Sequence, residues 1–466
     1  MRSPETTVIS PAPFLPLLVK ELREVVSGRA LWIMILILCP LAGYSFFQAV
    51  SLYSEASAAV QQSPVLATGL SPLDGILVPT FGSFYVAVTL LFPFVAIRVL
   101  GREKESGALR LLIQLPYAIP TLIATKLLAV MAAWSLAFVP VVSSVSIWMM
   151  LGGHLHAPET LNLIFGHALY GLLVGTIAIF AASIAEGAAT AAIITLTFTI
   201  GSWVLDFTAA GRPGFLDWLS RLSLTQTLRP FEQGLLSAGL MIGMVTVVAG
   251  FAALAGIWLP PGVSLRRKLL WSLCCVAATA AILAVVAQAR WSIDVTEDRR
   301  NSFPLADERA LPHLAAPLVI TVRLAPEDPR YVDLRRNVLS KLERSLSDLT
   351  IRLAGAQQSV IGKAGDDAYG EVEYVYAGRA ATSRSTSHRE ILPLLYGLAG
   401  MALPPPVPGD DYAGYPLVAN ADAMLLWFFG ALPLLIAIAW WWSRRPPPVN
   451  HLTIVTEIKN EVTQAN

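Results

Sequence analysis

The sequence predicts a membrane α-helical protein: a polytopic bundle of about eight transmembrane helices with a small α/β extracytoplasmic domain between the last two. Three observations predict it. The 466 residues are 55% hydrophobic and only 14% charged, against roughly 25% charged in an average globular domain. Several apolar runs exceed the ~18 residues that mark a membrane span. The basic clusters at 20–29, 98–110, 266–268 and 444–445 fall on one side of the membrane when eight spans are threaded, which is the asymmetry that orients a polytopic chain. A formal net charge of +1 excludes nucleic-acid binding driven by bulk positive charge.

Taken in order, residues 1–29 form an amphipathic, interfacial N-terminus on the cytoplasmic side. Pro11, Pro13 and Pro16 stiffen its start. A short helix over 17–28 places Lys20, Glu21, Arg23 and Glu24 on one side and Leu18, Leu22 and Val25 on the other, as a helix lying in a membrane surface does. Residues 30–262 hold six spans, at 30–50, 81–100, 127–151, 163–184, 188–205 and 238–259. A signal peptide is rejected for the first, despite Ala56-Ser57-Ala58, because the leader and apolar run are too long. Residues 51–78 and 152–162 carry no Lys or Arg, which suits outside loops. Glu186-Gly187 marks the tight inner turn between spans four and five. Residues 207–236 are too polar to span and read as two short amphipathic helices on the outer surface. The seventh span, 269–288, lies in the segment 263–289, with Arg266, Arg267 and Lys268 as its inside anchor. The eighth is 423–442, within 422–443, and ends in three tryptophans followed by the anchor Arg444-Arg445, an aromatic belt with a basic stop. The tail 444–466 is cytoplasmic.

The stretch 102–126 organises the rest. It is a short charged segment between two apolar runs, and charge belongs on the aqueous side. Leu109, Leu112, Ile113 and Pro116 recur at helical spacing, leaving Arg102, Lys104 and Arg110 for a polar face. A single helix over 102–116 is expected, with Glu103 and Glu105 in its first turn, where the helix dipole favours carboxylates. Pro116 and Pro120 then end it.

This stretch resembles the coupling segment of ABC-transporter permeases of the type-2, or exporter, family. Glu103, Lys104, Glu105, Ser106, Gly107, Leu109, Leu111, Leu112, Pro116 and Lys126 carry the likeness. Ala108 replaces the usual Thr, Arg110 stands where an acidic residue is common, and Glu186 where a basic one often lies. The N-terminal interfacial helix is a second point of similarity. The resemblance implies that Arg102, Glu103, Lys104, Glu105, Gly107, Leu109, Leu112 and Pro116 couple to a separate ABC ATPase subunit. ATP and Mg would then sit on that partner, with no cofactor on this chain. It also implies a homodimer or paired permease in a bacterial inner membrane, both termini cytoplasmic.

Residues 290–421 change in composition. Residues 318–324 and 349–353 read as strands, 371–376 alternates as a half-buried strand does, and 332–349 carries Leu334, Val338, Leu342, Leu346 and Leu349 on one helical face. The region resembles the accessory protein of gliding-type ABC exporters through Asp294-Val295-Thr296-Glu297, Asn301-Ser302-Phe303, Tyr376-Ala377-Gly378-Arg379 and Arg389-Glu390-Ile391-Leu392-Pro393. Contacts with envelope proteins would run through it.

No residue set promises catalysis. Gly355 with Gly362-Lys363 has the wrong spacing for a phosphate loop, and Ala364 lacks the required hydroxyl. The pair His154 and His156, with Glu159 nearby, reads as polar loop residues rather than a metal site. His167 reads as a hydrogen-bonded residue within the bundle. Ser385, His388 and Glu390 are close only in sequence, and a triad needs geometry. The reading is a permease subunit of an ABC exporter that couples ATP hydrolysis elsewhere to export or mechanical signalling. The alternative is a membrane-anchored scaffold whose outer domain assembles envelope proteins without transport.

Overall fold

A computed structural model describes residues 14–60, 64–209, 223–289, 291–314, 316–325, 328–346, 348–354, 369–405, 407 and 412–445. Among the described residues, eight helices are long and apolar enough to cross a membrane: Arg29–Val60, Leu73–Ser106, Ile119–Met150, Ala157–Ile184, Ala188–Leu205, Ala238–Trp258, Leu265–Val286 and Asp422–Ser443. They are spans 1 to 8. Their number and order are those read from the sequence, and the break between spans 4 and 5 falls at 185–187. Several ends differ. Span 1 continues to Val60, span 2 starts at Leu73 rather than 81, and span 3 starts at Ile119 rather than 127. The physical reason is that apolar runs report only the lipid-depth part of a helix, whereas these helices extend into contacts with other parts of the protein. Ala56-Ser57-Ala58 lies inside the continuous span 1 helix.

Small residues let spans approach closely. A Cβ added at Gly171 of span 4 would lie 2.3 Å from Trp134 of span 3, and one at Gly175 would lie 2.6 Å from Val130. At Gly43 of span 1 it would lie 2.3 Å from Phe428 of span 8. Without a hydrophobic force between helices in lipid, such close packing is a main source of association. Span 7 packs mainly on span 6, and span 8 on span 1. Of the two short helices expected over 207–236, one is present at Leu224–Glu232, and it seats Phe231 against Gly166 of span 4. Residues 210–222 lie outside the described residues.

The segment between spans 7 and 8 forms a separate core. Strands β1 (Leu235–Ser237) and β2 (Ser292–Asp294) pair antiparallel at its root. A four-stranded sheet follows, formed by β3 (Leu318–Val322), β4 (Leu349–Leu353), β5 (Val372–Tyr376) and β6 (Arg379–Ser383) in the order β4-β3-β5-β6. β3 and β4 run parallel, so the connection must cross over, and a helix over 329–345 supplies it. β3 and β5 alternate buried and half-buried, with Ile320 opposite Tyr374. Their buried side meets Leu334, Val338 and Leu342 of the crossover helix and Ile391 and Leu395 of a second helix, His388–Ala399. The expected helix over 332–349 therefore starts and ends earlier, and Leu349 belongs to β4. β6 has no apolar alternation to mark it, and Pro393 inside His388–Ala399 masks a helix whose Ile391, Leu392, Leu395 and Tyr396 do recur at helical spacing.

Two predictions follow from packing and burial. Gly171→Ala lowers stability by about 1–3 kcal/mol through overpacking. Gly201→Ala, with nothing within 4 Å of the added carbon, is neutral or slightly stabilising. Thermal unfolding of the purified protein in detergent compares them. Lys341 is buried, donates to the Ser302 carbonyl at 2.8 Å and lies over the Phe303 ring. Burial pushes its pKa down to about 8, against the pull of Asp294. Between about pH 8 and the ordinary lysine value near ~10.4, the unfolded chain binds more protons than the folded one, so stability rises with pH. Lys341→Met removes that rise, which thermal midpoints across this window measure.

Candidate functional site

The base of the bundle, where the N-terminal helix Phe14–Ser27 lies, is built around a buried ion cluster. Leu17, Glu21 and Val25 sit at four-residue spacing on the buried face of that helix. Glu21 thus leaves the polar side expected for it, while Arg23 stays exposed. The residue that draws Glu21 inward is Lys126, about two turns into span 3. Its ammonium is 2.5 Å from Glu103 Oε2, 3.2 Å from Glu21 Oε1 and 3.1 Å from the Val99 carbonyl. Lys126, Glu21 and Glu103 are each at most 3% exposed. At the rim, Lys20 bonds to Glu103 and pairs with Glu24 at 3.3 Å. Glu21, Glu24 and Glu103 lie close enough together to hold a cation, and the two lysine ammoniums fill that role here.

The cluster is not evenly satisfied. Glu21 Oε2 is buried without a hydrogen-bond partner. Burial pushes the Glu21 carboxyl above its usual range, with Lys126 pulling against it. Burial also works against the charge of Lys20, but its bond to Glu103 and the Glu21, Glu103 and Glu24 carboxylates outweigh this and hold its pKa above the usual lysine range. Both ammoniums reach both buried carboxylates, but Lys126 is buried whereas Lys20 is exposed at the rim.

The expected single helix over 102–116 is two. Span 2 runs through Ser106, and Gly107 takes φ 79°, a left-handed conformation that closes a helix and that glycine adopts without penalty. A short helix, Ala108–Gln114, follows before the chain turns extended at Leu115. Glu103 and Glu105 therefore sit in the last turn of span 2 rather than a first turn. The difference has a physical cause: Glu103 is placed by the Lys126 and Lys20 ammoniums rather than by the dipole, while Glu105 faces outward. Lys104 reaches the carbonyls of Ala182, Ser183 and Ala185, capping the C-terminal end of span 4, where a cation is favoured. Leu109 is buried and Leu112 half-buried. Among the residues read as coupling, Arg102, Glu105 and Pro116 are exposed, and Arg110, Leu111 and Leu115 join them. The base-side anchors divide similarly. Arg266 and Arg267 are exposed, Lys268 donates to the Trp258 carbonyl at 3.0 Å, and Arg444 and Arg445 lie 4.5 and 3.8 Å from the centroids of Trp440 and Trp441.

At the opposite face the α/β domain is fastened to the bundle. Arg300 bridges Asp298, Asp74 and Ser71. Asn301 donates to the Gln233 carbonyl at 2.7 Å, and Val295 to that of Gly234 at 3.0 Å. On the returning strap, the Tyr53 hydroxyl of span 1 donates to the Tyr415 carbonyl at 2.6 Å. Ser54 and Ala419 exchange two hydrogen bonds, and Leu417 donates to Ser57. Sequence reading missed all of these, because they join residues up to 365 positions apart.

His167 is buried against Phe81 and Phe84, and neither ring nitrogen has a partner, which corrects the hydrogen-bonded role expected for it. Ser385 Oγ accepts from the Ser387 amide, and His388 opens a helix beside Phe303, an arrangement without a nucleophile–base bond. The segment 355–364 that held the phosphate-loop candidate lies outside the described residues.

Residues 15–211 match the family model described as ABC-2 family transporter protein. Neither a curated protein nor a solved structure matches the chain. The match covers the N-terminal helix and spans 1 to 5, and so the base cluster, and supports reading this part as the membrane permease component of an ABC transporter. It stops short of the α/β domain, whose likeness to an exporter accessory protein gains no support.

The base cluster makes a non-additive prediction. Lys126→Met removes the buried counter-ion and leaves two buried carboxylates with only the exposed Lys20 ammonium at the rim, and costs about 3–5 kcal/mol. Adding Glu103→Gln to that variant restores part of the loss. A double-mutant cycle by thermal unfolding in detergent reads the coupling, and strictly additive losses would contradict the cluster.

Proposed function

We propose that the chain is the permease subunit of an ABC exporter, worked by a separate ATPase that docks on the base from the cytoplasm. One observation carries this reading: a short helix, with Arg110 and Leu111 exposed, hangs from span 2 on Gly107, directly beyond a buried ion cluster that ties spans 2 and 3 to the N-terminal helix. A push on an isolated loop would dissipate locally. A push on Ala108–Gln114 passes through a hydrogen-bonded cluster into three helices at once. Arg102, Glu105, Arg110, Leu111 and Leu115 form the docking face, whereas Glu103, Lys104 and Leu109 transmit the load from within. The partner ATPase holds ATP and Mg, and two permease chains assemble in an inner membrane with both termini in the cytoplasm.

The fastening at the other face favours a relay into the α/β domain over a passive scaffold. Spans 1, 2 and 4 all bond to the domain's roots, so their movement reaches it directly. Export or mechanical signalling is the output.

Glu105→Lys with Leu111→Asp abolishes co-purification of the ATPase subunit and leaves the thermal midpoint unchanged, because both side chains are exposed. Glu103→Gln lowers the midpoint instead. Retention of the ATPase by the surface variant would refute the docking face.

A further inference from the structure

We propose that the face of the bundle under the α/β domain carries a zinc-class divalent metal site, with His156 Nδ1, Glu159 Oε2 and a Glu297 carboxylate oxygen as its protein ligands. His156 lies in the loop after span 3, Glu159 in the first turn of span 4 and Glu297 just beyond β2. One ligand atom from each lies within 4.8 Å of the others, and His156 Nδ1 is 3.9 Å from Glu159 Oε2.

Three features point to a cation rather than to a chance cluster. His156 Nδ1 is shielded from solvent and has no hydrogen-bond partner, so a lone pair or proton is left without a use. Glu159 is 3% exposed, and the nearby guanidinium of Arg300 is bonded to Asp298 and Asp74 rather than to Glu159 or Glu297. The carboxylates are also held from behind. Glu159 Oε2 accepts from the Glu297 amide at 3.2 Å, His154 Nε2 meets Glu297 Oε2 at 2.8 Å, and the Tyr415 hydroxyl donates to Glu297 Oε1. His154 in turn stacks on Tyr415 with ring centroids 3.6 Å apart. Outer partners of this kind orient ligands and tune affinity.

The donor set selects the metal. An imidazole with two carboxylates suits zinc and its neighbours, whereas calcium and magnesium prefer all-oxygen sets. Bonds of about 2.0–2.2 Å place tetrahedral ligand atoms roughly 3.3–3.5 Å apart, so the site closes by side-chain movements of at most ~1.5 Å. His154 is a positioning residue, and water completes the sphere. The bound ion would staple the loop between spans 3 and 4 to the root of the α/β domain.

The test uses the full-length protein in detergent, without a polyhistidine tag, stripped with EDTA and titrated with ZnCl2 by calorimetry, with metal content read by mass spectrometry. One zinc per chain is expected. His156→Ala, which removes an atom with no other partner, loses that zinc while keeping the thermal midpoint of the stripped protein. His154→Ala weakens binding by about 10-fold. Cobalt gives a tetrahedral visible spectrum in the wild type and none in His156→Ala. Absence of zinc binding by the wild type, or binding unchanged in His156→Ala, overturns the proposal. Neither result depends on an ATPase partner, so failure here leaves the permease reading intact.

Discussion

The arrangement at the base depends on one ammonium kept out of water. Lys126 reaches both Glu21 and Glu103, and each of those residues belongs to a different element. Coulomb attraction at this depth is strong because little water screens it, and the same depth makes a missing partner costly. The cluster is therefore better understood as a constraint on geometry than as a source of net stability. It sets how the N-terminal helix lies against spans 2 and 3, and that in turn sets where Gly107 releases the short helix.

The two faces of the bundle solve different problems with the same means. At the base, charges fix helices to one another and leave a mixed polar and apolar face, Arg102 to Leu115, open. Under the α/β domain, carboxylates, tyrosines and serines fix the domain's roots to loops and helix ends. Between them, the interior is aromatic and tightly fitted: Phe81, Phe84, Trp134 and Phe138 contact one another around His167. A rigid middle with two bonded ends suits transmission better than local absorption of a push.

Much of this was legible in the amino-acid order. Spans announce themselves by apolar length, so the helical bundle and the position of the α/β segment between spans 7 and 8 were readable. The strands β3, β4 and β5 were visible through alternation or β-branched content. The base segment was recognised, but its inner and outer residues were not separated. Glu21 and Glu103 look like solvent-facing carboxylates until Lys126, 105 and 23 positions away, is brought beside them. Likewise, His156 and Glu159 are an unremarkable loop pair until the fold delivers Glu297, 138 residues after Glu159. Long-range pairing of polar residues leaves no period in the sequence.

The two stems of the α/β domain rise from different flanks of the bundle, one beside span 6 and the other beside span 1. A body held at two separated points works as a caliper. Any rocking that spreads or narrows those flanks must bend, twist or lift what is clamped between them, even if no solute ever crosses.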